Sequence, residues 1–419
     1  MQSDARAAAI AGMTDRFPVG LVVLAFLLML ADGIDLAALP LAVPHIAIDL
    51  HRPPATFGLS LSAFALGFGI GALLVGPFGD RHGRRPLIVG SILLAALATG
   101  ATGLATTMPA FVACRLGVGL ALGGCLTNLN ALLAELVPAR FRARALTLMS
   151  TGIPLGSAAI SFLIPPLIAI AGWRGSFFLL GAALLVVTVI IAIALPESET
   201  IRALRGQGRH AAVRSGLALA SMLEPLGRDF RRTTLTFIGL YTLNAGSLYM
   251  LQSWLPTVLP QAGYSLAAAA RMAGTAQIGG LVGGLIISTF IDRRLTMPAL
   301  TTAYVSVAAG LIAFQLLAPG GFGWLALLLL VMGGISSAHL AIMALGAISY
   351  PPRLTASALG LATAVARSGA VGGPLYGQLL LQKGVQAPLF FLALLPVTVI
   401  CVGLVFVMPA GSPDRLSKP

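Results

Sequence analysis

The sequence predicts an all-α polytopic membrane protein of twelve transmembrane helices in two pseudo-symmetric six-helix bundles. Three observations lead there. Twelve apolar runs each approach the about 20 residues needed to cross a bilayer as a helix. Basic residues gather in the loops on one side. A short Asp-Arg motif returns about half a chain later.

Composition sets the class. Of 419 residues, 58% are hydrophobic and 9% charged, and the mean hydropathy is +0.96. A soluble domain carries about 25% charged residues. Backbone polar groups in lipid must be satisfied internally, so the spans are helices. They fall at approximately 18–39, 57–77, 86–106, 109–134, 143–170, 174–195, 233–259, 266–290, 297–317, 322–347, 354–380 and 388–408. An even count puts both chain ends on one side. With the ends inside, twenty Lys and Arg fall in inner segments and four in outer ones (Arg52, Arg174, Arg271, Lys383), which orients the chain with cytoplasmic termini in an inner membrane. The same distribution explains the net charge of +13 without nucleic acid as a partner.

The expected organisation is a cytoplasmic tail at 1–17, a first bundle at 18–195, a linker at 196–232, a second bundle at 233–408 and a tail at 409–419. The tail carries Arg6 and Arg16 and does not read as a cleavable signal. The linker holds seven arginines; a solvated basic segment near anionic headgroups is the simpler reading, and regulation the other. Ile291-Asp292-Arg293-Arg294 echoes Gly79-Asp80-Arg81, with the two aspartates 212 positions apart. Parallel repeats about an axis along the membrane normal are one architecture of secondary transporters. Cys114, Cys125 and Cys401 stand singly in apolar segments, so neither a disulfide nor a metal is expected, and no cofactor.

Polar residues inside spans point to function. Helix 1 carries Asp32 and Asp35 around Gly33; their i,i+3 spacing shares one face. A carboxylate at mid-membrane costs at least about 2.5–3.5 kcal/mol on insertion scales. Either the pair works there, or it reaches the outer interface and is hydrated. Arg115 of helix 4 stands at a matching depth, so Asp32–Arg115 or Asp35–Arg115 can pair, as a proton-coupled switch or as a static bridge. Arg367 in helix 11 suits a substrate carboxylate, because its fork binds the anion bidentately; a buried helix carbonyl or carboxylate is its other use. His339 in helix 10 either shuttles protons and binds substrate or packs. Asn244 and Tyr241 of helix 7, Gln277 of helix 8, and Asn128 and Asn130 of helix 4 either line a cavity or bond between helices. Phe64, Tyr241, Tyr249 and Trp254 are candidate aromatic walls.

One loop is more specific. Gly76-Pro77-Phe78-Gly79-Asp80-Arg81-His82-Gly83-Arg84-Arg85-Pro86 separates runs 2 and 3. Its G-x-x-x-D-R-x-G-R-R spacing closely resembles the signature loop of the major facilitator superfamily, where it joins helices 2 and 3 and acts in gating. The resemblance assigns Gly76, Asp80, Arg81, Gly83, Arg84 and Arg85 to a gate. Glu135, at the inner end of helix 4, would pair within it, and Asp292 and Arg293 would be its second copy.

Three further stretches narrow the resemblance. Asp32-Gly33-Ile34-Asp35 resembles the D-G-x-D of helix 1 in the aromatic acid:proton symporters. Arg115 with Gly117, Gly119, Gly123-Gly124, Asn128 and Glu135 resembles that family's helix 4. Arg367-Ser368-Gly369-Ala370 resembles its helix 11. Two departures lie in the second half: Thr355 stands where that family has arginine, and Ala366 where it has glycine. The resemblance implies a monomeric, proton-coupled importer of an aromatic carboxylate, with Asp32, Asp35 and Arg115 in coupling. The alternatives are a proton-coupled exporter of drugs or metabolites, or a symporter of a non-aromatic organic anion. Export is disfavoured because Gly152-Ile153-Pro154-Leu155-Gly156-Ser157 lacks the G-P-x-x-G-G of antiporters. A membrane sensor would need a larger inner domain. An enzyme is disfavoured by the absence of H-E-x-x-H and G-x-S-x-G.

Overall fold

Residues 17–197 and 224–408 are described in a computed structural model of the chain; the side chains of Pro77, Asp80, Arg81, Pro352, Arg353 and Ala356 lie outside the described set. Most of the expected linker and both expected tails also lie outside it. Among the described residues the regular elements are all helical: α1 (Val19–Asp49), α2 (Gly58–His82), α3 (Arg84–Thr102), α4 (Met108–Leu136), α5 (Ala139–Ser150), α6 (Gly152–Ala194), α7 (Arg231–Val258), α8 (Leu266–Asp292), α9 (Thr296–Leu316), α10 (Phe322–Ser349), α11 (Pro352–Gln382), α12 (Ala387–Leu392) and α13 (Leu395–Val407).

Twelve crossing segments result. The α6 helix is two segments, because Gly172 (φ 67°, ψ 173°) turns the backbone out of helical geometry. The α5 helix leads into its first part, and α12 with α13 makes the last crossing. By length and hydropathy alone, nine helical stretches among the described residues qualify as spans, with 139–194 counted once. The α7 and α11 helices do not, since Thr, Ser, Asn, Gln and Arg dilute their apolar sequence. These two helices supply Tyr241, Asn244, Tyr249, Gln252, Ser253 and Arg367.

The first helix corrects one expectation. A run ending near residue 39 was expected, but α1 continues through Pro40 and Pro44 to Asp49. Proline within a membrane helix is tolerated where neighbours re-satisfy the freed backbone groups. At 1.5 Å per residue, Asp32 therefore sits about 20 Å from the start of α1, near its middle.

The two bundles repeat one pairing scheme. In the first, α1 packs on α6, α2 on α4, and α3 on α4 and α6; in the second, α7 packs on α11, α8 on α10, and α9 on α10 and α13. The bundles meet along α1–α7, α2–α11 and α6–α8. Their cores are shared at one end only. There a single buried cluster joins Leu39, Val43, Phe57, Phe111 and Trp173 to Met250, Trp254, Phe314, Trp324 and Phe391. At the other end, which carries Arg84 and the described chain ends, the first bundle packs around Leu28, Ile92 and Leu133. The second packs separately there, around Phe237, Tyr304 and Ile342. The molecule is closed at one end and divided at the arginine-rich end.

Candidate functional site

The α1 aspartates face the packed interior. Asp32 is 3% exposed and Asp35 1%. Gly33 between them lets α6 approach: a Cβ there would collide with the Ile153 carbonyl, and the Ser157 hydroxyl donates to the Gly33 carbonyl at 2.8 Å. The two aspartates then differ sharply. Arg115 Nη1 donates to Asp35 Oδ1 at 3.3 Å and Nη2 to the Asp35 carbonyl at 3.1 Å. Thr99 donates to the other carboxylate oxygen at 2.8 Å. Asp35 is thus the partner of Arg115, and among the described residues no hydrogen bond or ion pair falls on Asp32. The Arg115 guanidinium also lies 4.9 Å over the Phe64 ring.

A narrow cavity lies where the bundles meet. It is lined by Leu36, Ala37 and Pro40 of α1, Leu61 and Phe64 of α2, Arg115 and Ser157 from the first bundle, and Tyr249, Gln252, Ser253 and Gln277 from the second. Arg367 reaches this region from α11. Its guanidinium stacks 4.2 Å over Phe68 of the opposite bundle and donates to the Tyr249 hydroxyl at 3.4 Å.

The remaining second-bundle residues form a hydrogen-bonded chain. His339 Nε2 lies 3.2 Å from the Tyr241 hydroxyl, and Nδ1 lies 3.1 Å from Asn244 Nδ2. The Asn244 amide also donates to the Ile335 carbonyl at 3.3 Å and accepts from Tyr304 at 2.9 Å. Gln277 accepts from Gln252 at 3.4 Å. Of the expected aromatic walls, Phe64 and Tyr249 line the cavity. Trp254 does not: it is fully buried in the shared core, with its indole N–H donated to the Pro374 carbonyl at 2.9 Å. Asn128 is spent within the first bundle, on the carbonyls of Gly124 and Val75.

The arginine-rich turn forms a network at the divided end. Gly83 has φ 99°, a conformation that favours glycine, and it separates α2 from α3. Arg84 pairs with Glu135 at 2.6 Å. Glu197, just beyond α6, accepts from the backbone N–H groups of Arg84 and Arg85 at 3.1 and 3.3 Å, and the Arg85 side chain bonds the Ala192 carbonyl. The turn thereby ties α3 to α4 and α6. Gly76 packs α2 against Thr127. The Asp80 and Arg81 side chains lie outside the described set. Asp292 and Arg293 are exposed at the end of α8.

Among the contributors that the sequence did not mark are Thr99, Tyr304 and Phe68, with Gln252 and Ser253 of the cavity wall. Thr99 carried no signal, being one threonine in an apolar run. Tyr304 and Phe68 had the ordinary composition of a membrane helix.

Known proteins resemble the chain throughout. A gallate transporter of Pseudomonas putida is 30% identical over 399 residues, covering 88% of this chain and 87% of that protein. The 4-hydroxybenzoate transporter PcaK of Pseudomonas aeruginosa is 32% identical over 296 residues, covering 65% and 66%. The fold matches a bacterial homologue of the human lysosomal transporter Spinster with a TM-score of 0.76 at 16% identity, covering 96% of this chain and 99% of that one. A match to the Major Facilitator Superfamily spans residues 21–374. With two six-helix bundles around a polar centre, this chain belongs to the Major Facilitator Superfamily and is a membrane transporter, not an enzyme.

Proposed function

We propose that the protein carries an aromatic acid across the inner membrane together with protons, as a monomer, by alternating access between residues 18–195 and 233–408, with both termini cytoplasmic. The relatives named for gallate and 4-hydroxybenzoate support an aromatic carboxylate. The observation that carries the proton coupling is the unequal pair on α1: Asp35 is held by Arg115 and Thr99, while among the described residues no hydrogen bond or ion pair falls on the buried Asp32. A buried carboxylate that no hydrogen bond or ion pair holds is the costly form of that group, and a proton relieves the cost.

Asp32 takes the coupling proton. Once it is neutral, the positive field of Arg367 is free for the substrate carboxylate, which its planar fork binds bidentately. Phe64, Phe68 and Tyr249 offer ring faces beside that charge. Arg115 and Asp35 hold the geometry of α1 and report its charge state. Arg84, Arg85, Glu135 and Gly83, with Gly76, Asp80 and Arg81, form the gate at the divided end, which is the cytoplasmic one, and Asp292 and Arg293 its counterpart.

The test is uptake of labelled 4-hydroxybenzoate and gallate into proteoliposomes under an inward proton gradient, for wild type and Asp32→Asn. Gradient-driven accumulation in wild type, abolished in the variant, is the expected result. Uptake indifferent to both gradient and variant would remove the proton from Asp32.

A further inference from the structure

The two bundles differ at a place where the internal repeat would make them alike. The glycine pair of α2 returns in α8 at the same offset of 212 residues, Gly67 as Gly279 and Gly71 as Gly283. A Cβ on Gly67 or Gly71 would run into the backbone carbonyl of Leu116 or Leu120, so α2 rests directly on α4. On Gly279 or Gly283 a Cβ would first meet side-chain atoms of Leu329 or Ser337, with the Leu329 and Gly333 carbonyl oxygens 3.2 and 2.7 Å away. The α8 helix is therefore seated less closely on α10. A groove of about 720 Å³ opens along this seam, with Ala299, Ala303 and Ser306 of α9 as its other wall.

The groove opens away from the bundle interface. Val282, Ile286 and Phe290 of α8 and Leu330 of α10 border it and are exposed. The hydroxyls of Thr302 and Ser337 in its walls are spent on the Pro298 and Gly333 carbonyls of their own helices, and the rest of the lining, Ser306 apart, is apolar. From Ile278 to Phe290 it follows α8 for about 18 Å at 1.5 Å per residue. One leaflet's share of the hydrocarbon core is about 15 Å. The groove ends at Leu295, in the turn between α8 and α9 at the arginine-rich end, and there the repeat differs again. The first bundle's turn spends Arg84 on Glu135 and Arg85 on the Ala192 carbonyl. Ala347 stands 212 positions after Glu135, and α10 holds no acidic residue. Arg293 and Arg294 are exposed beside Leu295, and among the described residues no hydrogen bond or ion pair falls on either guanidinium. Asp292 shares the turn, which keeps a net positive charge.

We propose that this groove is a binding site for one anionic phospholipid, with an acyl chain laid between α8, α9 and α10 and the phosphate held at Arg294, beside Arg293. Both departures from the first bundle call for the same molecule. The open seam needs an apolar chain about one leaflet deep, and the arginines at its mouth need an anion. Basic sites between membrane helices bind anionic head groups. A zwitterionic lipid would bring its own cation to the arginines, so the charge favours the anionic one. The lipid takes the part in the second bundle that direct seating of α2 on α4 plays in the first.

The experiment is native mass spectrometry of the full chain released from detergent micelles doped with equal amounts of phosphatidylglycerol and phosphatidylcholine. The variants are Arg294→Gln, Thr302→Trp and, as a control for diffuse charge, Arg142→Gln on the exposed face of α5. Wild type is expected to keep one phosphatidylglycerol under conditions that strip phosphatidylcholine. Arg294→Gln is expected to weaken that retention about fivefold, the weight of one arginine near a membrane surface. Thr302→Trp places an indole in the groove and is expected to abolish it, together with the rise in Tm that added phosphatidylglycerol gives wild type. Arg142→Gln is expected to behave as wild type. Equal retention of the two lipids by wild type, an equal loss in Arg142→Gln, or full retention in a folded Thr302→Trp would overturn the proposal. So would a wild-type dimer that Thr302→Trp turns into monomer, since the groove would then belong to a second copy of the chain. If Thr302→Trp is recovered only as aggregate, Arg294→Gln, in an exposed turn, decides alone: unchanged retention there overturns the proposal.

Discussion

The two α1 aspartates look interchangeable in the sequence, and the structure predicts opposite consequences for removing them. Asp35→Asn takes away the charge facing Arg115, whose side chain is 2% exposed, and leaves that guanidinium buried without its counter-ion. Breaking a buried pair from one side costs about 3–5 kcal/mol. With unfolding entropy scaling with length, a 419-residue chain loses about 1 °C of Tm per kcal/mol, so the expected drop is about 3–6 °C. Asp32→Asn removes a carboxylate that makes no hydrogen bond or ion pair among the described residues, so its Tm is expected to stay within about 1 °C of wild type or to rise. Replacing both members of the pair, Asp35→Asn with Arg115→Met, is expected to recover most of the loss, because a buried pair is often matched by apolar residues of similar volume. The assay is thermal unfolding in one detergent, followed by intrinsic fluorescence and by size exclusion of heated samples. A drop for Asp32→Asn as large as that for Asp35→Asn, or no drop for either, would refute the reasoning.

Two further outcomes follow from packing and from the gate. Gly33→Val is expected to push α1 off α6 at Ile153, costing about 1–3 kcal/mol or more, seen as a lower yield of monodisperse protein. Glu135→Gln removes the charge facing Arg84 in a pair whose side chains are only 12% and 27% exposed, so it is expected to cost about 1.5–3 kcal/mol. Its larger effect is expected in hydrogen exchange, as faster exchange at the start of α3 where that pair ties α3 to α4.

The crossings were legible because lipid imposes one rule on every segment. Apolar length, a closed backbone and basic inner loops are each visible in composition. The pairing of Arg115 with an α1 aspartate was legible as well, since two opposite charges at mid-membrane have few other partners. Which aspartate it takes was not legible. That depends on the rotation of α1 against α4 and on Thr99, and both follow from how Gly33 seats α1 on α6. The length of α1 was misread at Pro40, because proline ends helices in water more dependably than in a packed membrane bundle. Tyr304 and the order of its chain were hidden for another reason. A tyrosine in a membrane helix is ordinary composition, and its hydrogen-bond partners lie on helices 60 and more residues away.

The contacts between the bundles bear on how such a transporter moves. In the proposed cycle the closed end must open, and the links that break there are the ones that span the bundles. Two polar ones among the described residues are the hydrogen bond that Ser62 donates to the Val371 carbonyl at 2.8 Å and the stacking of Arg367 on Phe68. At about 0.5–1.5 kcal/mol for the hydrogen bond and about 0.5–2 kcal/mol for the cation–π contact, neither locks the end shut. By contrast, Asp35–Arg115–Thr99 lies within the first bundle and Tyr304–Asn244–His339–Tyr241 within the second, so rigid-body rocking leaves both intact. The proposed proton site therefore travels with its own bundle, and in the proposed cycle Arg367 is the group whose surroundings change between the two states. A ligand shifts an equilibrium only through its different affinity for the two states. An anion on Arg367, replacing the ring face of Phe68, is the differential contact through which a carboxylate substrate would favour opening at the closed end.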